Sequence, residues 1–117
     1  MISIALILLL SVALIAGLAL FWREIVEWIK KAVTKIKEVL GLEPTGTRTF
    51  ISRTTEGLRN KSKYYYVNKL TQEYEEVVYT KPVNESDVPA DILAKVRYQS
   101  LEMEVSTTDE LRLALNV

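Results

Sequence analysis

The chain has 117 residues, with 15 Lys+Arg against 15 Asp+Glu and a formal net charge of zero, so no global field draws it toward nucleic acid or basic partners. It contains no Cys and no His. That excludes disulfide frameworks, Cys/His zinc sites, haem attachment, thiol nucleophiles and every mechanism that needs an imidazole base.

The apolar content is unevenly spread: residues 1–22 hold 19 of the 57 apolar residues. Residues 2–22, ISIALILLLSVALIAGLALFW, run for 21 residues without a charge, Pro, Asn or Gln. At the helical rise of 1.5 Å per residue this spans about 31 Å, close to the roughly 30 Å hydrocarbon core of a bilayer. A spanning segment must satisfy its backbone internally, which predicts a transmembrane helix over 1–22. Phe21 and Trp22 are expected at the membrane interface, next to the first cation, Arg23. A cleaved signal peptide is the competing reading, with a small-x-small site at Gly17-Leu18-Ala19 and a mature end near Leu20. No basic residue precedes the run, whereas Arg23, Lys30, Lys31, Lys35 and Lys37 follow it. The positive-inside rule therefore expects the amino terminus outside and residues 23–117 in the cytoplasm. Ala13 and Gly17 form a small-xxx-small pair that would let a partner helix approach within the bilayer.

An amphipathic juxtamembrane helix is expected over 23–41. Trp22, Val26, Ile29, Val33, Ile36 and Leu40 are spaced 4, 3, 4, 3, 4, and Ile25, Ala32 and Val39 widen this seam into a full face. Gly41 supplies the C-terminal cap and Pro44 prevents resumption. The face has three candidate surroundings: a partner helix or a second copy, the inner leaflet with lysines at the headgroups, or the chain's own domain. Ile25, Ile29, Val33 and Ile36 are the expected partner-contact residues on it.

Residues 42–46 read as a linker and 47–117 as a small α+β domain with a mainly antiparallel sheet. Strands are expected at 47–54, 63–67 and 74–80, with 56–62 as a polar loop and Lys81-Pro82 closing the third strand. Ser86 or Asp87 would cap a helix running to about Arg97, with Pro89 in its first turn. Residues 99–105 alternate, with Leu101, Met103 and Val105 on one side, as in a half-buried strand. Thr107 and Glu110 fit a capping box for a short helix through Leu115, while Leu111, Leu113 and Leu115 leave a strand as the rival. A membrane-type helix continuing into an amphipathic one and then a small sheet domain resembles type IV pilins. The acid early in the mature helix that marks that family has no counterpart in residues 2–22, nor does a basic leader precede them, and the family is not adopted.

Charge is segregated: residues 23–63 carry net +5 and residues 64–117 net −5. Arg48, Arg53, Arg59, Lys61 and Lys63 with Tyr64, Tyr65 and Tyr66 form the basic, aromatic stretch that a nucleic-acid reading would use, but no ribonucleoprotein, Gly-x-x-Gly or zinc-knuckle pattern accompanies it. Nucleic acid is not the expected partner. Glu73, Glu75, Glu76, Glu102 and Glu104 lack the Asp-x-Asp-x-Asp-Gly spacing of a calcium loop, and the four isolated glycines form no phosphate loop. No catalytic residue, metal ligand or cofactor is expected. Asn60-Lys61-Ser62 and Asn84-Glu85-Ser86 match the glycosylation acceptor pattern and bear on topology alone. The expected function is a single-pass, membrane-anchored protein-binding module, an accessory subunit or adaptor. The alternatives are an immunity-type inhibitor whose acidic face, including Glu73, Glu75, Glu76, Glu102 and Glu104, blocks a basic partner, and an exported domain after signal cleavage.

Overall fold

The computed structural model describes residues 19–115. They form α1 (Leu20–Leu40), β1 (Gly46–Thr54), β2 (Gly57–Val67), β3 (Tyr74–Val83), a 3-10 turn at Glu85–Asp87, α2 (Ala90–Arg97), β4 (Glu104–Ser106) and α3 (Thr108–Leu115). The class is α+β: one long helix, a four-stranded antiparallel sheet in the order β3-β2-β1-β4, and two short helices. The expected membrane helix lies outside the described residues except for its last four, and no helix among the described residues is long and apolar enough to cross a membrane.

Helix α1 is amphipathic along its whole length, and its apolar stripe is the roof of the core. Phe21, Trp22, Ile25, Val26, Ile29, Ala32 and Ile36 are all buried and join one cluster with Ile51, Leu58 and Tyr64 of the sheet. Of the three surroundings open to this stripe, the chain's own domain is the one observed. Phe21 and Trp22 depart from the interfacial role expected of them, meeting edge to face at 4.8 Å within the core. The helical period explains this: Trp22 lies three and four residues before Ile25 and Val26, so it falls on the same stripe. The helix stops at Gly41, whose φ of 67° puts it in the left-handed region. Its N–H closes on the Lys37 carbonyl at 2.9 Å, a cap that glycine makes without a Cβ penalty.

The sheet is covered on one side. Paired residues point to the same face, and the register groups Thr47, Thr49 and Ile51 with Leu58, Asn60, Ser62 and Tyr64, and these with Val77, Tyr79, Lys81 and Val83, beneath the helices. Strand β2 begins at Gly57, so the polar stretch expected as a loop is strand. Its inward residues Asn60 and Ser62 are polar, which hides the apolar alternation by which a strand is read. Only Thr55 and Glu56 turn between β1 and β2, and Gly57 sits at φ 127° to allow it. Strand β3 continues through Pro82, which is tolerated because β3 is an edge strand.

Buried Thr49 is satisfied from far along the chain. The Thr108 hydroxyl accepts from the Thr49 N–H at 3.0 Å, and the Thr107 hydroxyl donates to Thr49 Oγ1 at 2.9 Å. Thr107 is thereby drawn away from the expected capping box, and Glu110 instead pairs with Lys95. Residues 108–115 are helix, with Leu111 inside and Leu113 outside. The strand expected at 99–105 shrinks to Glu104–Ser106. Only Val105 of its three apolar residues turns inward; Leu101 and Met103 are exposed. The cap expected from Ser86 or Asp87 is replaced by the 3-10 turn, and α2 starts after Pro89, whose φ is −56°.

Candidate functional site

With α1, α2 and α3 packed on one side, no helix among the described residues covers the other side of the sheet. The alternation that buries Ile51 and Tyr64 turns Arg48, Phe50 and Ser52 of β1, Arg59, Lys61 and Lys63 of β2, and Glu76, Val78 and Thr80 of β3 onto this side, with Glu104 from β4. Arg48 stands directly opposite Lys63, and Phe50 opposite Lys61. Like charges facing each other across a ladder destabilise it. Glu104 offsets part of that repulsion by accepting from Lys61 Nζ at 2.7 Å and from Lys63 Nζ at 2.9 Å. The hydrogen bonds from Lys61, then Lys63, hold the Glu104 carboxyl below the usual carboxylate range. The same bond from Glu104 raises Lys63, whose ammonium also lies 4.9 Å from the centre of the Phe50 ring. Arg48 makes no ion pair among the described residues. The result is a flat, cationic patch built on two central strands, with a half-buried ring in the middle.

A groove on the helix side, between α1 and β3, is lined by Arg23, Glu24, Glu27, Trp28, Lys31 and Lys81. Lys81 Nζ sits 5.1 Å from the centre of the Trp28 ring, a cation–π contact that fixes the edge strand to the helix. Among the described residues, no cluster of carboxylates is suited to a metal ion.

The sequence-derived contact residues fall elsewhere. Ile25, Ile29 and Ile36 are 2%, 1% and 2% exposed, and Val33 packs against the same cluster. Their side chains are given to the core of this chain, packed in one cluster with Ile51, Leu58 and Tyr64 of the sheet. Ala13 and Gly17 lie outside the described residues. The five glutamates suggested as an acidic face do not share one. Glu104 is paired with lysines, Glu73 ends the β2–β3 loop, Glu75 accepts from Tyr66 and Asn68 at 2.8 and 2.6 Å, Glu76 is on the opposite side of β3, and Glu102 lies near Arg53 beyond the other end of the sheet.

The basic stretch divides in the same way. Arg48, Arg59, Lys61, Lys63 and Tyr65 lie on the uncovered side, while Tyr64 is in the core and Arg53 reaches Gln99. Tyr65 is itself buried, so the patch offers no row of exposed rings on which bases could stack. Phe50 was not singled out by sequence reasoning, and Glu104 was named only among the acidic residues; strand alternation puts Phe50 on the side opposite Ile51, but the register is what sets it beside Lys61. No family model matches the chain, and neither a curated protein nor a solved structure matches it.

Proposed function

We propose that this chain is a single-pass, membrane-anchored module that binds another protein, with the uncovered face of the sheet as the contact surface and an acidic region of the partner as its complement. The observation that carries the reading is the segregation of the sheet: three helices close one side, while Arg48, Arg59, Lys61 and Lys63 surround Phe50 on the other. A rigid strand surface with one aromatic anchor and a cationic rim is suited to steering and fixing an acidic partner. Burial of α1's seam in its own domain supports moving the contact from that helix to the sheet. The apolar run supports the anchor: Ala19, at ψ 151°, caps α1 outside the helix, and residues 2–18 before it would reach about 26 Å as a helix, within a few Å of the hydrocarbon thickness. The cations that follow it support a cytoplasmic domain.

Two measurements test this. Full-length protein in its native membranes should resist carbonate extraction; release into the aqueous fraction overturns the anchor. A photo-crosslinker at Phe50 should yield a defined adduct with another polypeptide, and Arg48→Glu with Lys63→Glu should abolish it. An adduct unchanged by that charge reversal, or formed equally from Leu70 in the β2–β3 loop, overturns the contact surface.

A further inference from the structure

Where α1 leaves the domain decides what lies against a bilayer. The apolar run passes into α1 with no linker; Leu20 is 53% exposed, yet Phe21 and Trp22 are already buried. An anchored chain therefore has no spacer, and the end of the domain around Leu20 sits at headgroup level.

Strand register identifies that end. Phe21 and Glu24 share a cleft with Asn60, Lys81, Pro82, Val83, Asn84 and Asp87. Asn60 pairs with Lys81 and Ile51, and two residues further out Leu58 pairs with Val83 and Arg53. The opposite end of α1 is joined by residues 41–45 to Gly46, at the far end of β1. Arg53 in turn holds residues 98–103: its carbonyl accepts from the Glu102 N–H at 2.8 Å, and its guanidinium donates to the Gln99 carbonyl. That segment therefore lies at the end from which α1 emerges. It carries three outward apolar side chains, Tyr98, Leu101 and Met103, which are 83%, 46% and 47% exposed.

We propose that Tyr98, Leu101 and Met103 form a lipid-contact patch that seats in the headgroup–acyl boundary beside the anchor, an inference that rests on the membrane-anchored reading above. The chemistry suits that depth. A tyrosine places its ring among acyl carbons and its hydroxyl among headgroups, and Leu101 and Met103 supply apolar area. The backbone presenting them is built rather than slack. Besides the two ties to Arg53, Met103 N–H bonds Ser100 O and Gln99 N–H bonds Val96 O, both at 3.2 Å. Glu102 is held at φ 68°, a conformation that a residue with a Cβ seldom adopts. Around them Arg59 lies 3.2 Å from Glu56 and Arg97 4.0 Å from Glu85, while exposed Glu102, between Leu101 and Met103, makes no ion pair among the described residues and would stay among the headgroups. With no net positive rim, the patch fits a zwitterionic surface and does not call for anionic lipid.

Because the chain has no Cys, Leu101→Cys gives a unique label site on an exposed position. The full chain would carry bimane there, in nanodiscs of phosphatidylcholine brominated near the headgroup; Leu70→Cys, at a 95% exposed position on the opposite end, is the control. Seating at an interfacial depth of roughly 5–10 Å should quench the label at 101 about twofold and shift its emission to the blue, leaving that at 70 unchanged. If the protein resists carbonate extraction but position 101 stays unquenched, the lipid contact is overturned and the anchor stands. If carbonate releases the full chain, both fall.

Discussion

Replacing Ile29 by alanine separates a helix that roofs its own sheet from a helix held ready for a partner. Ile29 is 1% exposed in the cluster of α1 with Ile51, Leu58 and Tyr64. Three carbons are removed, worth about 0.8 kcal/mol each in lost transfer free energy, and the cavity left behind raises the expected cost to about 3–4 kcal/mol. A domain of about 97 described residues has roughly 5–15 kcal/mol in total, so the variant folds but with much of its margin gone. With a urea slope of about 1–1.5 kcal/mol/M, the midpoint should drop by about 2–4 M. Buried Trp22 reports the transition by fluorescence in detergent, and the slope itself should not change. Val39→Ala, at the exposed edge of the same helix, should cost under about 0.5 kcal/mol. An Ile29→Ala midpoint no lower than that of Val39→Ala would refute the packing argument and return the seam to a partner.

Burial pushes the Tyr64 hydroxyl up to about 12, tempered by the neighbouring Ser62 hydroxyl. The unfolded tyrosine loses its proton near 10, so stability is full below that pH and falls as pH rises toward 12, by about 2–3 kcal/mol. Urea midpoints measured from pH 9 upward should show this loss, and Tyr64→Phe should remove it. Since neither that hydroxyl nor Ser62 Oγ has a hydrogen-bond partner of ordinary geometry, Tyr64→Phe should be neutral or stabilising at pH 7. Gly57→Ala meets no neighbouring atom but must hold φ 127°, so a loss of about 1–2 kcal/mol in thermal or urea unfolding is expected from backbone strain alone. Glu104 is ionised more readily in the fold, so the stability it contributes is present above the ordinary carboxylate range and is lost as pH falls through its lowered value. Glu104→Gln should flatten that acid limb, cost only about 0.2–1 kcal/mol at pH 7, and strengthen capture of an acidic partner by freeing Lys61 and Lys63.

Much of the architecture was legible because it depends on local period. The 3.6-residue stripe of α1 and its stop at Gly41 need no tertiary information, and neither do the strand-forming runs of Tyr and Val in β2 and β3. The misreadings occur where a distant partner overrides the local signal. Asn60 and Ser62 made β2 look like a loop, because polar inward residues are satisfied or hidden only once the sheet and helices close over them. Leu101, Met103 and Val105 made residues 99–105 look like a strand, whereas the Arg53 ties and the left-handed Glu102 turn the first two outward. Phe21 and Trp22 resembled an interfacial belt because composition places them beside Arg23, while the helical phase gives them to the core.

Sequence alone determined that the chain joins a charge-free run of bilayer length to an α+β domain, that an amphipathic helix links them without a spacer, and that imidazole and thiol chemistry are excluded. Those properties follow from composition and one-dimensional spacing. Tertiary structure decided which surface α1's seam covers, which cations share the open side of the sheet, and that residues 98–103 stand at the end of the domain from which α1 emerges. Each of these depends on strand register and on contacts between residues tens of positions apart, and no local pattern encodes them.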